Sequence, residues 1–221
     1  YCGYSRLWHT GDTTSFRQKL HSGKLFAVDL DICVGTVPSL GHHIIQLDAA
    51  EALPGHTHTL NPNVLAGRSV RQGFHRKYPL ATIHLLLHIF SENDLAHRAA
   101  PLVWLADSAF INAQHYRENV EAWIRAHLSL PAFEAVLPAL QTLEFEQYLR
   151  DTVLTPLSKN SLCRPAHNSR YCSKHLGLNG YQAQFDNAND PRVRSVSKEI
   201  SRLAGWPGFR WAERFDAYLQ G

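Results

Sequence analysis

The chain has 221 residues, 44% apolar and 19% charged, with a formal net charge of +3 when its 14 histidines are neutral. That length and composition suit a globular protein whose core needs no disulfide staples. No apolar run approaches the ~20 residues that span a bilayer; the longest, Ile83–Phe90, is interrupted by His84 and His88, so no membrane partner is expected.

The opening Tyr1-Cys2-Gly3-Tyr4 shows no charged-then-apolar signal pattern. Cys2, Cys33, Cys163 and Cys172 could form two disulfides in a secreted protein. Their sparse spacing instead favours a reducing, cytoplasmic setting with free thiols or one metal site. A mildly basic chain is compatible with a nucleic-acid partner and does not require one.

Lys24–Val34 is apolar and β-branched around Asp29 and Asp31, and is expected as the first strand. His42–Leu47 is a second strand candidate. A long loop, Leu53–Pro79, separates it from Ala81–Phe90, the strongest strand candidate, and Leu102–Ala106 is a fourth. Runs this apolar suggest strands buried on both faces. Ser91–Asp94 has the spacing of a capping box that opens a short helix. Ser108–Leu128 repeats apolar residues at helical spacing. Pro131 and Pro138 bracket a turn, and Ala139–Leu154 continues as a helix. Ser158–Asp190 is polar, Asn-rich and irregular. A helix opens at Pro191 and stops at Gly205, and a last one carries Trp211, Phe215 and Leu219.

The fold class expected is α+β: a central mixed β-sheet in the N-terminal half with a helical C-terminal half. Residues 1–157 form an α/β core of catalytic type. Residues 158–221 add the irregular segment and a helical subdomain within one compact unit. There is no internal repeat.

The sharpest chemical feature is Asp29-Leu30-Asp31. On a strand, residues two apart share a face. Two carboxylates that close repel unless a cation sits between them. Hard divalent ions such as Mg²⁺ or Mn²⁺ accept such oxygen ligands, and Asp107, after the fourth apolar run, is the candidate third ligand. The stretch Phe26–Asp31 resembles the first motif of archaeo-eukaryotic-type primases, a hydrophobic strand ending in Asp-x-Asp. Ser39-Leu40-Gly41-His42-His43 is similar to their second motif, whose histidine contacts nucleotide phosphates. The resemblance covers residues 24–107. It implies a nucleotidyltransferase with Asp29, Asp31, Asp107 and His43 as catalytic residues. The same first strand also resembles the opening of haloacid-dehalogenase phosphatases, with Asp29 as nucleophile and Asp31 as acid.

Histidine is dense here: His42, His43, His56, His58, His75, His84 and His88. Two histidines at i, i+2 on a strand share a face and can chelate, which makes His56 and His58 further metal-ligand candidates. Gly55-His56-Thr57-His58 resembles a metal motif of calcineurin-like metallophosphoesterases. The His56/His58 or His84/His88 pair, with Tyr171-Cys172-Ser173-Lys174, resembles rolling-circle (HUH) endonucleases, in which Tyr171 would attack a phosphodiester. Cys163, His167, Cys172 and His175 have zinc-ligand chemistry within one polar segment.

Arg68, Arg71, Arg76 and Lys77 lie in the long loop among Phe74, His75 and Tyr78, a mixture suited to a phosphate backbone and stacked bases. The leading expectation is therefore a metal-dependent enzyme acting on nucleotides or nucleic acid. It would use Mg²⁺ or Mn²⁺ and transfer a nucleotidyl or phosphoryl group. The alternatives are an endonuclease using Tyr171 and a non-enzymatic zinc-stabilised binding module.

Overall fold

A computed structural model describes residues 6–9, 14–15, 18–19, 22–33, 36–53, 58–158, 191–206 and 217–220. The chain divides into two compact units, one of residues 1–78 with 212–221 and the other of residues 79–211. Mixed α and β structure is present: a small parallel sheet near the N-terminus, followed by a mostly helical remainder.

In the first unit, β1 (Arg6–His9) pairs antiparallel with β5 (Ala217–Gln220). A separate three-stranded parallel sheet has the order β2 (Ala27–Val28), β3 (Ser39–Leu40), β4 (Thr59–Leu60). Its register aligns Ala27, Ser39 and Thr59 in one row and Val28, Leu40 and Leu60 in the next. Ser39 and Thr59 are buried and their hydroxyls hydrogen-bond at 2.8 Å, which satisfies both polar groups away from water.

The strands are much shorter than the apolar runs suggest. The expected strand Lys24–Val34 ends at Val28, because Asp29 takes a left-handed backbone (φ 62°) that no extended strand can include. The alternation that would have put Asp29 and Asp31 on one strand face is therefore absent. His42–Leu47 forms no strand either; the pairing residues are Ser39 and Leu40, just upstream. The long loop Leu53–Pro79 contains β4, helix α1 (Pro62–Leu65) and a 3₁₀ turn at Phe74–Arg76. Asn61 caps α1, its side-chain oxygen accepting from Asn63 N and Val64 N, and Pro62 occupies the first helical position, where its missing N–H costs nothing.

In the second unit, two expected strands are helices. Ala81–Phe90 forms α2 (Thr82–Ile89), and all of Leu102–Ala106 but its last residue falls in α4 (Ala100–Leu105), which has Pro101 in its first turn. Both are buried over most of their surface, so neither shows the polar stripe that marks a surface helix. Between them, α3 (Asn93–Arg98) follows Ser91, whose left-handed φ of 55° replaces the expected cap; no side chain caps this helix. The expected single helix over Ser108–Leu128 is two, α5 (Ala109–His115) and α6 (Arg117–His127), broken at Tyr116. Next come α7 (Pro131–Val136) and α8 (Leu143–Leu149), capped by Thr142. A π-helical turn (Arg150–Leu154) leads into α9 (Thr155–Ser158). The expected start at Pro191 and stop at Gly205 hold for α10 (Pro191–Ala204), with Gly205 left-handed at φ 63°. The C-terminal helix expected to carry Leu219 is instead β5 at that residue, while Trp211 and Phe215 lie outside the described residues.

The core of this unit is aromatic and branched. Trp104, Phe110, Phe133, Ile124 and Leu149 are all almost fully buried. His84 lies among them, its ring 5.3 Å from Trp104 and 5.2 Å from Phe133. His84 and His88 therefore sit on one helix and not on a strand, so the strand-borne His pair expected of a rolling-circle endonuclease does not form there.

Candidate functional site

Parallel strands deliver their carboxyl ends to one edge, and in open sheets with parallel strands ligands bind outside that edge. Here the chain leaving β2 carries Asp29 and Asp31, that leaving β3 carries Gly41, His42 and His43, and that leaving β4 carries Asn61. Two carboxylate–imidazole pairs form there. Asp29 Oδ1 lies 3.3 Å from His42 Nδ1, and Asp31 Oδ2 lies 3.6 Å from His43 Nδ1. The two imidazoles stack with centroids 4.4 Å apart. The left-handed turn at Asp29 is what sends successive acids to different histidines.

A carboxylate facing Nδ1 is the arrangement in which Nε2 serves as the metal-ligand atom. Metal-binding histidines are oriented in this way. Exposure differs between the pairs. His42 is 6% exposed beside the partly open Asp29 (43%), whereas His43 is 32% exposed above a buried Asp31 (5%).

Asp31 is held from several sides. Asn61 Nδ2 donates to its Oδ1 at 2.6 Å and the His43 backbone N–H donates to its Oδ2 at 3.3 Å. Gly41 leaves the space the carboxylate fills: a Cβ there would overlap the Asp31 carboxyl group. Ser39 and Thr59 fix the next residue, with Ile32 N donating to Ser39 Oγ and Thr59 Oγ1 donating to Ile32 O. Asn61 also donates to His43 O at 2.9 Å while capping α1. Asn63 donates to His42 O at 2.7 Å and accepts from Tyr78 N at 2.7 Å. Both asparagines are fully buried, and through them the histidine backbone is tied to α1 and to the end of the basic loop.

Burial pushes the Cys33 thiol above its ordinary value, and the nearby Asp31 carboxylate raises it further. A raised thiol is a poor nucleophile at neutral pH. Burial likewise holds the Tyr78 phenol well above its usual range, so it stays neutral beside the His42 ring.

His42 and His43 offer two imidazole nitrogens at the carboxyl edge of the sheet, while Asp107 belongs to the second unit. Asp107 follows α4 in a left-handed conformation (φ 43°, ψ 42°), which Asp tolerates better than most residues. His58 is exposed just before β4, while His56 lies outside the described residues. So do Cys163, His167, Tyr171, Cys172, Lys174 and His175. Arg71, Arg76 and Lys77 are exposed, and Arg68 is half-buried. Sequence reasoning did not single out Gly41, Asn61 or Asn63. The one local signal for Asn61 is its place before a proline, an N-cap followed by a first-turn Pro. The chain matches no protein-family model, and neither the curated proteins nor the solved structures contain a match to it.

Proposed function

We propose that the chain is a metal-dependent enzyme acting on nucleotides or nucleic acid, transferring a phosphoryl or nucleotidyl group. The observation that carries this reading is the pair of carboxylate-oriented histidines at the carboxyl edge of the parallel sheet. His42 and His43 are the proposed metal ligands. Asp29 and Asp31 act as orienting acids, a role that differs from the shared ion-binding expected of an Asp-x-Asp pair. Imidazole ligands suit Zn²⁺ and other transition-metal ions better than Mg²⁺, which prefers oxygen ligands. Such an ion, when bound, would supply Lewis-acid chemistry toward a phosphate and its attacking oxygen. Arg68, Arg71, Arg76 and Lys77 supply cations for the substrate's phosphates.

The test is metal analysis of the purified chain, followed by titration of the metal-free protein with Zn²⁺, Mn²⁺ and Mg²⁺. Hydrolysis of nucleoside triphosphates and of single-stranded DNA is then assayed. The expected result is saturable binding of Zn²⁺ or Mn²⁺ and metal-dependent turnover. Both should be lost in His42→Ala and His43→Ala variants that retain the wild-type circular dichroism. Failure of the wild-type chain to bind any of the three ions, or undiminished binding by both variants, would overturn the proposal.

A further inference from the structure

Residues 68–77 form a basic loop whose backbone is shaped in advance. Val70 N and Arg71 N donate to Gln46 O and Leu47 O, at 3.0 and 3.1 Å. Gln72 turns the chain back, its N–H donating to Ser69 Oγ and its side-chain oxygen accepting from Ala49 N. Gly73 reverses direction with a left-handed φ of 68°, and a side chain there would crowd Arg68, whose Cδ is 3.0 Å from the Cβ position. The segment paired with this loop, Gln46–Leu47, follows His43 by only a few residues.

Two properties of this loop are unusual for solvated surface. No Asp or Glu occurs between Glu51 and Glu92, so the charge of this stretch of sequence is positive. Large apolar side chains stand in water within it: Phe74 is 47% exposed and Val70 49%. The Lys77 ammonium sits 4.6 Å from the centre of the Phe74 ring, which fixes the ring and places a cation at its face. Arg68 Nε is buried and has no hydrogen-bond partner among the described residues, a polar cost that an acceptor from a ligand would remove. A phosphate polymer with flat, stackable groups answers all of these at once. The helical elements described beside the loop are the single turns Pro62–Leu65 and Phe74–Arg76, too short to read a duplex groove, whereas an exposed ring can stack on an unpaired base.

We propose that the loop 68–77 docks single-stranded nucleic acid, with a base stacked on Phe74 and successive phosphates paired with Arg71, Arg76 and Lys77. The proposal rests on the phosphate chemistry assigned above for what the strand is brought to; the docking itself needs no metal. A preformed loop loses little conformational entropy on binding, which favours affinity.

The experiment is fluorescence anisotropy of a labelled, mixed-sequence single-stranded oligonucleotide with the full chain, in EDTA, across a salt series. The affinity should fall with salt with a log–log slope near −2, for three phosphate contacts at ~0.7 each. Phe74→Ala should weaken binding about tenfold or more, and Phe74→Tyr should restore it. Arg71→Ala should weaken binding and make the slope shallower by about 0.7. A duplex of the same sequence should bind more weakly. Unchanged binding by Phe74→Ala, equal binding of the duplex, or full competition by phosphatidylserine vesicles would each overturn the proposal. His42→Ala separates the two readings. If it binds the strand like the wild type while no form of the protein binds metal, the metal enzyme falls and the docking loop stands. If metal binding holds while Phe74→Ala and Arg71→Ala leave strand affinity unchanged, only the docking loop falls.

Discussion

Asn61→Asp changes one side-chain nitrogen to oxygen and tests the site directly. Asp is as good an N-cap as Asn, so the bonds from Asn63 N and Val64 N to position 61 survive. What is lost is the amide that donates to Asp31 Oδ1 at 2.6 Å and to His43 O at 2.9 Å. A hydrogen bond to a charged acceptor contributes ~1.5–3 kcal/mol and one between neutral groups ~1 kcal/mol, so losing both costs roughly 3 kcal/mol. The new carboxylate also faces Asp31, which is 5% exposed, and like charges at such range repel by up to about 4 kcal/mol near a protein surface. Part of that repulsion is relieved when one acid takes up a proton, so the net cost at pH 7 should be roughly 3–5 kcal/mol. The sign with pH follows. In the folded variant one carboxyl of the pair is raised above its unfolded value. The variant's stability relative to wild type is therefore greatest below the unfolded carboxylate range, ~4, and is lost as pH rises through the raised value. Asn61→Ser keeps a capping oxygen, lacks the amide and adds no charge, and should be destabilised without this pH dependence. Urea denaturation at pH 7 and pH 4.5 reads the difference, with metal affinity measured alongside. A wild-type urea midpoint for both variants at pH 7 would refute the clamp on Asp31.

Gly41→Ala should displace the Asp31 carboxylate, because the added methyl occupies its place; metal affinity should fall at least tenfold, as it does when an outer-shell partner of a ligating histidine is lost. Asp31→Asn should shift the alkylation of Cys33 by iodoacetamide to lower pH, because one of the two causes holding the thiol up is that carboxylate. Peptide mass mapping separates Cys33 from the other cysteines, and an unshifted profile would mean that Asp31 carries no charge beside it.

The Asp29-Leu30-Asp31 pair stands out in the sequence because two carboxylates end an apolar run. Its partners do not. That each acid meets its own histidine depends on the left-handed turn at Asp29, and a positive φ at a non-glycine residue leaves no periodic mark. Asn61 and Asn63 resemble ordinary loop asparagines until the fold shows them buried. The run Ala81–Phe90 was ambiguous for a different reason. Apolar on nearly every side, it has no period to tell strand from helix. Its central Leu85-Leu86-Leu87 carries good helix formers, while β-branched residues stand only near its ends. By contrast, the limits of α10 were legible because Pro191 and Gly205 act locally, through a fixed φ and a permissive one.

The pairing of β1 with β5 joins Arg6 to Gln220 across nearly the whole chain. During synthesis from the N-terminus, β1 must wait for every residue of the second unit to emerge before its partner exists. The bonds that assemble the Asp–His edge, from Asp31 to Asn61, span at most 30 residues and can close long before. Closing a longer loop costs more chain entropy. The Asp–His edge can thus form early in synthesis, and the β1–β5 pairing only after the second unit has emerged.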